Sequence, residues 1–105
     1  MYLDNAATTP VRREALEAMW PFLTGEFGNP SSRHRLGEQA ARALDGARAR
    51  VAAVLGARPA EIVFTSGGTE ADNLAVKGLA LASPRGRHVL VAATEHEAVL
   101  ESSDH

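Results

Sequence analysis

Two stretches of the chain repeat apolar residues at the spacing of an α-helix. The shorter stretch carries its apolar stripe at Val11, Ala15, Met19 and Leu23. Thr9 as N-cap and Pro10 as first helical residue predict where this helix begins. Pro21 predicts that the helix ends or kinks there, because proline lacks an N–H donor and clashes with the preceding turn.

The longer stretch predicts a helix of about twenty residues. Its apolar stripe consists of Leu36, Ala40, Leu44, Ala47, Val51, Val54 and Leu55. Ser31 or Ser32 is the expected N-cap, and Gly56 is the expected C-terminal stop. Gly37 and Gly46 lie inside the helix and should each cost up to about 1 kcal/mol, which packing would have to offset.

The second half of the chain alternates predicted strands and helices. Residues 62–64 and 88–93 are short apolar runs without alternation, as in strands buried on both faces of a parallel sheet. A helix follows each of them, the second beginning near Glu95. This alternation predicts an α/β fold, preceded by a polar, extended lead-in over residues 1–10.

Composition narrows the functional classes. The 105 residues carry a net charge of -2 and 5% aromatic residues, which favours neither nucleic acid nor a membrane surface as a partner. The chain has no cysteine, so the sequence predicts neither disulfides nor a thiolate metal site, and we expect no metal. Without a recognisable signal peptide, a cytoplasmic location is the expectation.

The turn from Ser66 to Glu70 is the strongest chemical signal. Two adjacent glycines and Thr69 stand between a predicted strand and a helix. Such a turn offers free N–H groups, a helix dipole and a hydroxyl to a phosphate dianion. It matches neither the P-loop nor the G-x-G-x-x-G pattern. The alternative is a plain helix start, with Thr69 and Asp72 forming a capping box.

His96 follows the second predicted strand and should lie on the same sheet edge as Thr69. Its ring could stack on a flat ligand or transfer protons, whereas the alternative is a helix-cap or surface histidine. Lys77, the single lysine, is predicted to be a solvated surface residue. It lies about 12 Å along the helix from Thr69 and points away from the phosphate end.

Two further polar segments have modest predicted roles when taken alone. Asn29 opens a loop that leads into the long helix, which is typical of a turn with an N-cap. Residues 4–9 are polar and unusually small, which would suit backbone packed close to a site.

Four motifs in this order carry a family resemblance. They are Tyr2-Leu3-Asp4-Asn5-Ala6-Ala7-Thr8-Thr9-Pro10, Phe27-Gly28-Asn29-Pro30-Ser31-Ser32-x-His34, Phe64-Thr65-Ser66-Gly67-Gly68-Thr69-Glu70-x-Asp72-Asn73 and Thr94-Glu95-His96-x-Ala98-Val99. Together they resemble the opening of the cysteine desulfurases, pyridoxal-phosphate (PLP) enzymes of the class V aminotransferase family. The resemblance runs essentially from residue 2 to residue 102.

The resemblance implies a fold and a set of site residues. Residues 11–105 would be the N-terminal part of the large PLP-binding domain of fold type I, with helices and an incomplete, mostly parallel sheet. Gly68 and Thr69 would bind the cofactor phosphate. His96 would stack on the pyridine ring and act in catalysis by handling protons. The residues expected near the substrate entrance are Asn5, Ala6 and Asn29.

The resemblance also implies an activity. Family members take sulfur from L-cysteine, leave alanine and pass the sulfur as a persulfide to acceptor proteins for iron–sulfur cluster assembly or tRNA thiolation, and they act as homodimers. The family's cofactor-linking lysine, its aspartate partner of the pyridine nitrogen and its sulfur-accepting cysteine all lie beyond residue 105. We therefore expect an N-terminal fragment that is inactive and unstable alone, with later strands missing between its own two.

Three alternatives stay open from the sequence. One is a sibling class V enzyme, such as a selenocysteine lyase or an aminotransferase. Another is a non-catalytic remnant, or half of a split enzyme that acts by binding or complementation. The third is an ordinary nucleotide-binding α/β domain, which the missing P-loop lysine and ribose-binding acid weigh against.

Overall fold

The computed structural model describes residues 1–104, and the last residue of the predicted 11–105 domain lies outside them. Within the described part, the regular elements are four α-helices and one short 3-10 helix. They are α1 (Arg13–Thr24), α2 (Arg35–Leu55), the 3-10 helix Pro59–Glu61, α3 (Gly68–Ala82) and α4 (Glu97–Ser103). The chain divides into two compact units, Met1–Ile62 and the residues from Val63 onward.

The lead-in, residues 1–10, contains no helix but forms a local turn. The Ala7 N–H donates to the Asp4 carbonyl at 3.1 Å. The Tyr2 hydroxyl lies 2.9 Å from the Asp4 carbonyl oxygen and 3.2 Å from that of Thr8. This one side chain therefore ties both ends of the turn together.

α1 begins three residues later than the Thr9–Pro10 signal predicted. Arg12 is its N-cap and its carbonyl accepts the first helical bond, while the Arg13–Glu17 ion pair at 2.7 Å spans the first turn. The prediction that Pro21 ends or kinks the helix was wrong about the end. Proline costs only one bond here, and the Pro21 carbonyl accepts the closing bond from Gly25 N–H at 2.9 Å.

α2 ends where the sequence predicted but begins later. Gly56 adopts the left-handed conformation, with φ of 65°, and terminates the helix. The N-cap is His34 rather than Ser31 or Ser32, and its Nδ1 accepts from the Gly37 N–H at 3.2 Å. The serines are engaged upstream, because Asn29 accepts from the N–H groups of both.

The two predicted strands do not form in residues 1–104. Residues 62–64 and 88–93 lie in neither helix nor sheet, so the incomplete parallel sheet expected from the sequence is not confirmed. The physical reason is pairing: a strand is held by hydrogen bonds to a neighbouring strand, and these two segments do not pair with each other. The predicted helices of the α/β pattern are all present.

Each unit is held by modest packing. In the first unit, the 3-10 helix packs on α2, and the Arg48 guanidinium donates to the Ile62 carbonyl. In the second unit, α3 packs against α4, which buries Ala98 and Ser102. None of the helices in residues 1–104 combines the length and apolarity needed to cross a bilayer.

Candidate functional site

The glycine turn opens α3 at the place that the sequence predicted. Gly67 is the N-cap, and Gly68 and Thr69 are the first two helical residues. Their N–H groups belong to the first helical turn, which has no carbonyl acceptor inside the helix. A Cβ placed at Gly67 or Gly68 would meet nothing within 4 Å, and Thr69 is exposed. The turn is therefore open to an anion, which the positive end of the helix dipole favours.

The turn is stabilised by Glu70 rather than by the capping box considered from the sequence. Because Gly67 is the N-cap, Thr69 lies inside the helix as its second residue, and it does not form the capping box with Asp72. Instead, Glu70 Oε2 accepts from both the N–H and the hydroxyl of Ser66, each at 2.6 Å. The Ser66 hydroxyl bond, followed by the N–H bond, lowers the pKa of the Glu70 carboxyl below its ordinary value.

The sequence pattern alone predicted no separate role for Ser66 or Glu70, although both belong to the motif of the glycine turn. A signal for the interaction was present, since an acidic residue in the first turn of a helix often binds back to N–H groups just before the helix. The spacing of four residues, rather than the three of a capping box, concealed it.

His96 is the N-cap of α4. Its Nδ1 accepts from the Ala98 N–H at 3.1 Å, so the helix-cap alternative raised from the sequence is correct about its structural role. An accepting Nδ1 carries no proton, which places the proton of the neutral ring on Nε2. The imidazole is exposed, so the cap leaves Nε2 and the ring faces available for a ligand.

The candidate residues divide between the two units. Gly68, Thr69 and His96 belong to the second unit, the first two at the start of α3 and the last as the N-cap of α4. The first unit contains the remaining three, which are all exposed: Asn5 and Ala6 in the turn of the lead-in, and Asn29 in the loop before α2.

Lys77 is less exposed than was expected of a solvated surface residue. It is half-buried on α3 and lines a cavity of about 360 Å³ together with Arg87, His88 and Ser102. The aliphatic part of a lysine packs readily on apolar neighbours while the ammonium group reaches water, which explains the partial burial.

Comparison with known proteins decides the family. The family model for aminotransferase class-V matches residues 1–104. The chain belongs to the aminotransferase class-V family. The matched range includes all four of the ordered motifs.

The chain is similar to several curated members of this family. It is 53% identical to cysteine desulfurase IscS of Dictyoglomus turgidum over 96% of its length, and 55% identical to cysteine desulfurase IscS of Pectobacterium carotovorum over 97%. It covers 26% of each of those proteins. The chain thus spans about a quarter of the length of the curated relatives it matches.

The backbone of the chain is also similar to that of a solved structure. A NifS-like protein superposes with a TM-score of 0.85 at 40% sequence identity. The match covers 95% of this chain and 28% of the NifS-like protein. The helices described above therefore follow the course of the corresponding part of that protein.

Proposed function

We propose that residues 1–105 form the cofactor-phosphate-binding part of a PLP-dependent cysteine desulfurase. The observation that carries the proposal is the identity of 50–55% to proteins named cysteine desulfurase, over nearly the whole of this chain. The open glycine turn at the start of α3 supplies the chemistry that a phosphate-bearing cofactor requires.

The proposed reaction takes sulfur from L-cysteine and leaves L-alanine. The sulfur passes to an enzyme thiol as a persulfide and from there to an acceptor protein, for iron–sulfur cluster assembly or tRNA thiolation. Residues 1–105 contain no cysteine, so the receiving thiol must come from outside this segment. A cytoplasmic homodimer is part of the same proposal.

The residues of the turn fit the phosphate of PLP. The N–H groups of Gly68 and Thr69 and the Thr69 hydroxyl would hold it, because the glycines leave no side chain in the way. The Glu70 carboxylate does not compete for these donors, since it is bound to Ser66. Bound PLP supplies an electron sink for the amino acid that reacts.

His96 would stack on the cofactor ring and transfer protons through Nε2. Nδ1 is committed to the α4 cap, so Nε2 is the nitrogen left to exchange a proton with the substrate. Asn5, Ala6 and Asn29 are proposed to lie near the substrate entrance, a role for which their exposure and the small size of Ala6 are suitable.

The test uses the complete protein that contains residues 1–105, loaded with PLP. We expect L-cysteine to yield alanine and transferable sulfur in equal amounts, above the rate with free PLP. Preference for L-selenocysteine would indicate a selenocysteine lyase, amino transfer to a 2-oxoacid without sulfur release would indicate an aminotransferase, and no turnover would indicate a remnant. Each of these outcomes would contradict the proposal.

A matched pair of variants tests the phosphate assignment. Thr69→Ala removes the hydroxyl and should weaken PLP binding about tenfold, as expected for the loss of a hydrogen bond to a charged group. Thr69→Ser keeps the hydroxyl and should bind PLP nearly as the wild type does. Equal affinities for all three proteins would rule out Thr69 as a phosphate ligand.

A further inference from the structure

The bonding of Glu70 separates two sets of donors in the glycine turn. Its carboxylate takes the N–H and the hydroxyl of Ser66, which both lie before the helix. The N–H groups of Gly68 and Thr69, which lie inside the first turn, are left for another acceptor. One carboxylate thus fixes the entry to the turn without occupying its anion-binding end.

The turn needs such a constraint because of its composition. Gly67 and Gly68 are adjacent, and neither has a side chain that restricts the backbone or packs on a neighbour. The Thr65 hydroxyl donates to the Gly67 carbonyl at 3.1 Å, which holds the chain on one side of the pair. Glu70 reaches back over the glycines to Ser66 and closes the loop from the other side.

We propose that Glu70 is a positioning residue that presets the Ser66–Thr69 turn for the cofactor phosphate. The inference rests on the proposed function, and it assigns a role to a residue that does not itself contact the phosphate. A turn that is already ordered loses less conformational entropy when the anion binds, and this raises the affinity.

The negative charge of Glu70 acts in the opposite direction. A carboxylate near a dianion repels it, and this repulsion weakens as the carboxylate receives hydrogen bonds from Ser66. Positioning and repulsion predict opposite effects of removing the side chain. If positioning dominates, Glu70→Ala weakens phosphate binding; if repulsion dominates, the same variant strengthens it.

The experiment measures the contribution of the phosphate alone. Equilibrium titrations of the complete apoprotein with PLP and with pyridoxal give two dissociation constants. The constant for pyridoxal divided by the constant for PLP is the phosphate preference ratio, which is large when the phosphate contributes strongly to binding. We expect Glu70→Ala to reduce this ratio about tenfold. Glu70→Gln retains one acceptor for Ser66 and should reduce the ratio less.

Glu61 provides a matched control. Its carboxylate accepts from the Arg58 N–H at 2.7 Å at the start of the 3-10 helix, in the other unit. Glu61→Ala removes the same kind of bond, so it should lower the melting temperature by a similar amount to Glu70→Ala. It should leave the phosphate preference ratio unchanged. A purely structural role for Glu70 would give both variants unchanged ratios.

The possible results separate the two proposals. A wild-type protein that binds pyridoxal as tightly as PLP would overturn the phosphate site itself, and with it the proposed function. A wild type that prefers PLP, with an unchanged or higher ratio in Glu70→Ala, would overturn only the positioning role. A reduced ratio in Glu70→Ala alone supports it.

Discussion

At the scale of single residues, Gly37 shows how one missing side chain permits a close contact. It is buried in the first turn of α2, and a Cβ there would lie 2.2 Å from the Ser32 carbonyl oxygen and 2.7 Å from that of Asn29. Both neighbours are backbone atoms, so they cannot simply rotate away. The glycine therefore allows the loop with candidate residue Asn29 to pack on the helix.

We predict that Gly37→Ala destabilises the complete protein by about 1–3 kcal/mol, the usual cost of overpacking. Gly46→Ala is the matched control in the same helix, because its Cβ would meet nothing within 4 Å. It should stabilise by up to about 1 kcal/mol, since alanine favours the helix. Urea unfolding of both variants tests the pair, and stabilisation by both would contradict the observed contact.

Glu61 gives a prediction for the effect of pH. Hydrogen bonds from the Arg58 side chain, then from its N–H, lower the pKa of this carboxyl from its ordinary value of 4.5. A pKa that is lower in the folded state contributes stability that is present above 4.5 and is lost as the pH falls through the folded value. Glu61→Gln should therefore lose less stability on acidification than the wild type.

The measurement compares urea midpoints at neutral pH and below the ordinary glutamate pKa. The difference between wild type and variant should be largest at neutral pH and should shrink in acid. Glu26 forms no ion pair within residues 1–104, so Glu26→Gln serves as the control variant. A wild-type-minus-variant difference that stayed constant with pH would show that the Arg58 bonds contribute no pH-dependent stability.

At the scale of elements, the helices were predictable because their apolar periodicity is local. The α2 stripe and the stop at Gly56 depend only on residues within a few turns of one another. The helix starts were less predictable, since His34 is an uncommon cap and α1 begins without a side-chain cap. The two strands were predicted but do not form in residues 1–104, because a strand requires hydrogen bonds to a partner strand, which a local sequence pattern does not reveal.

In the candidate site, too, the features that follow a standard local sequence pattern were predictable, and those that depend on an unusual spacing or on distant residues were not. The position of the glycine turn was predictable from its residue types, since adjacent glycines before an apolar periodic run indicate a turn that leads into a helix. The Ser66–Glu70 bond was missed because its four-residue spacing follows no standard capping pattern. The half-burial of Lys77 depends on the packing of α3 against α4, which the sequence of α3 alone does not contain.

α4 provides a prediction about an element and its cap. His96→Asn places an amide oxygen near the position of Nδ1, whereas His96→Gln places its amide nearer to Nε2. Asn should keep α4 capped, while Gln should cost about 1 kcal/mol in the stability of this helix. Hydrogen exchange at the amides of α4 tests the difference, and equal exchange in both variants would contradict a cap at Nδ1.

At the scale of the whole molecule, the described residues expose much apolar surface. In the described part of the chain, the buried apolar side chains are those of Ala52 and Ala98, while Trp20, Leu79 and Leu90 are 60%, 73% and 86% exposed. Soluble proteins seldom leave such side chains uncovered in large patches. Under the proposed function, the remainder of the complete protein would cover these surfaces.

This surface leads to a prediction about the segment 88–93. Val89, Leu90 and Val91 are all exposed. In a strand, adjacent side chains would point to opposite faces, so neither face of this segment is covered by other residues. In the complete protein we expect partner strands to bond its amides and slow their hydrogen exchange strongly. In the isolated 105-residue chain these amides should exchange about as fast as in an unstructured peptide, because unpaired amides remain accessible to water.

Thermal unfolding of the same two samples completes this prediction. The complete protein should unfold cooperatively, whereas the isolated chain should show a broad transition and should bind a hydrophobic dye, since too little apolar surface is buried to offset the loss of chain entropy. The amides of α2 are the comparison segment: this helix forms its own hydrogen bonds, so protection that survives in the isolated chain should be greater there than at residues 88–93. A sharp transition from a monomeric isolated chain, with slow exchange at 88–93, would mean that the segment needs no partner from outside.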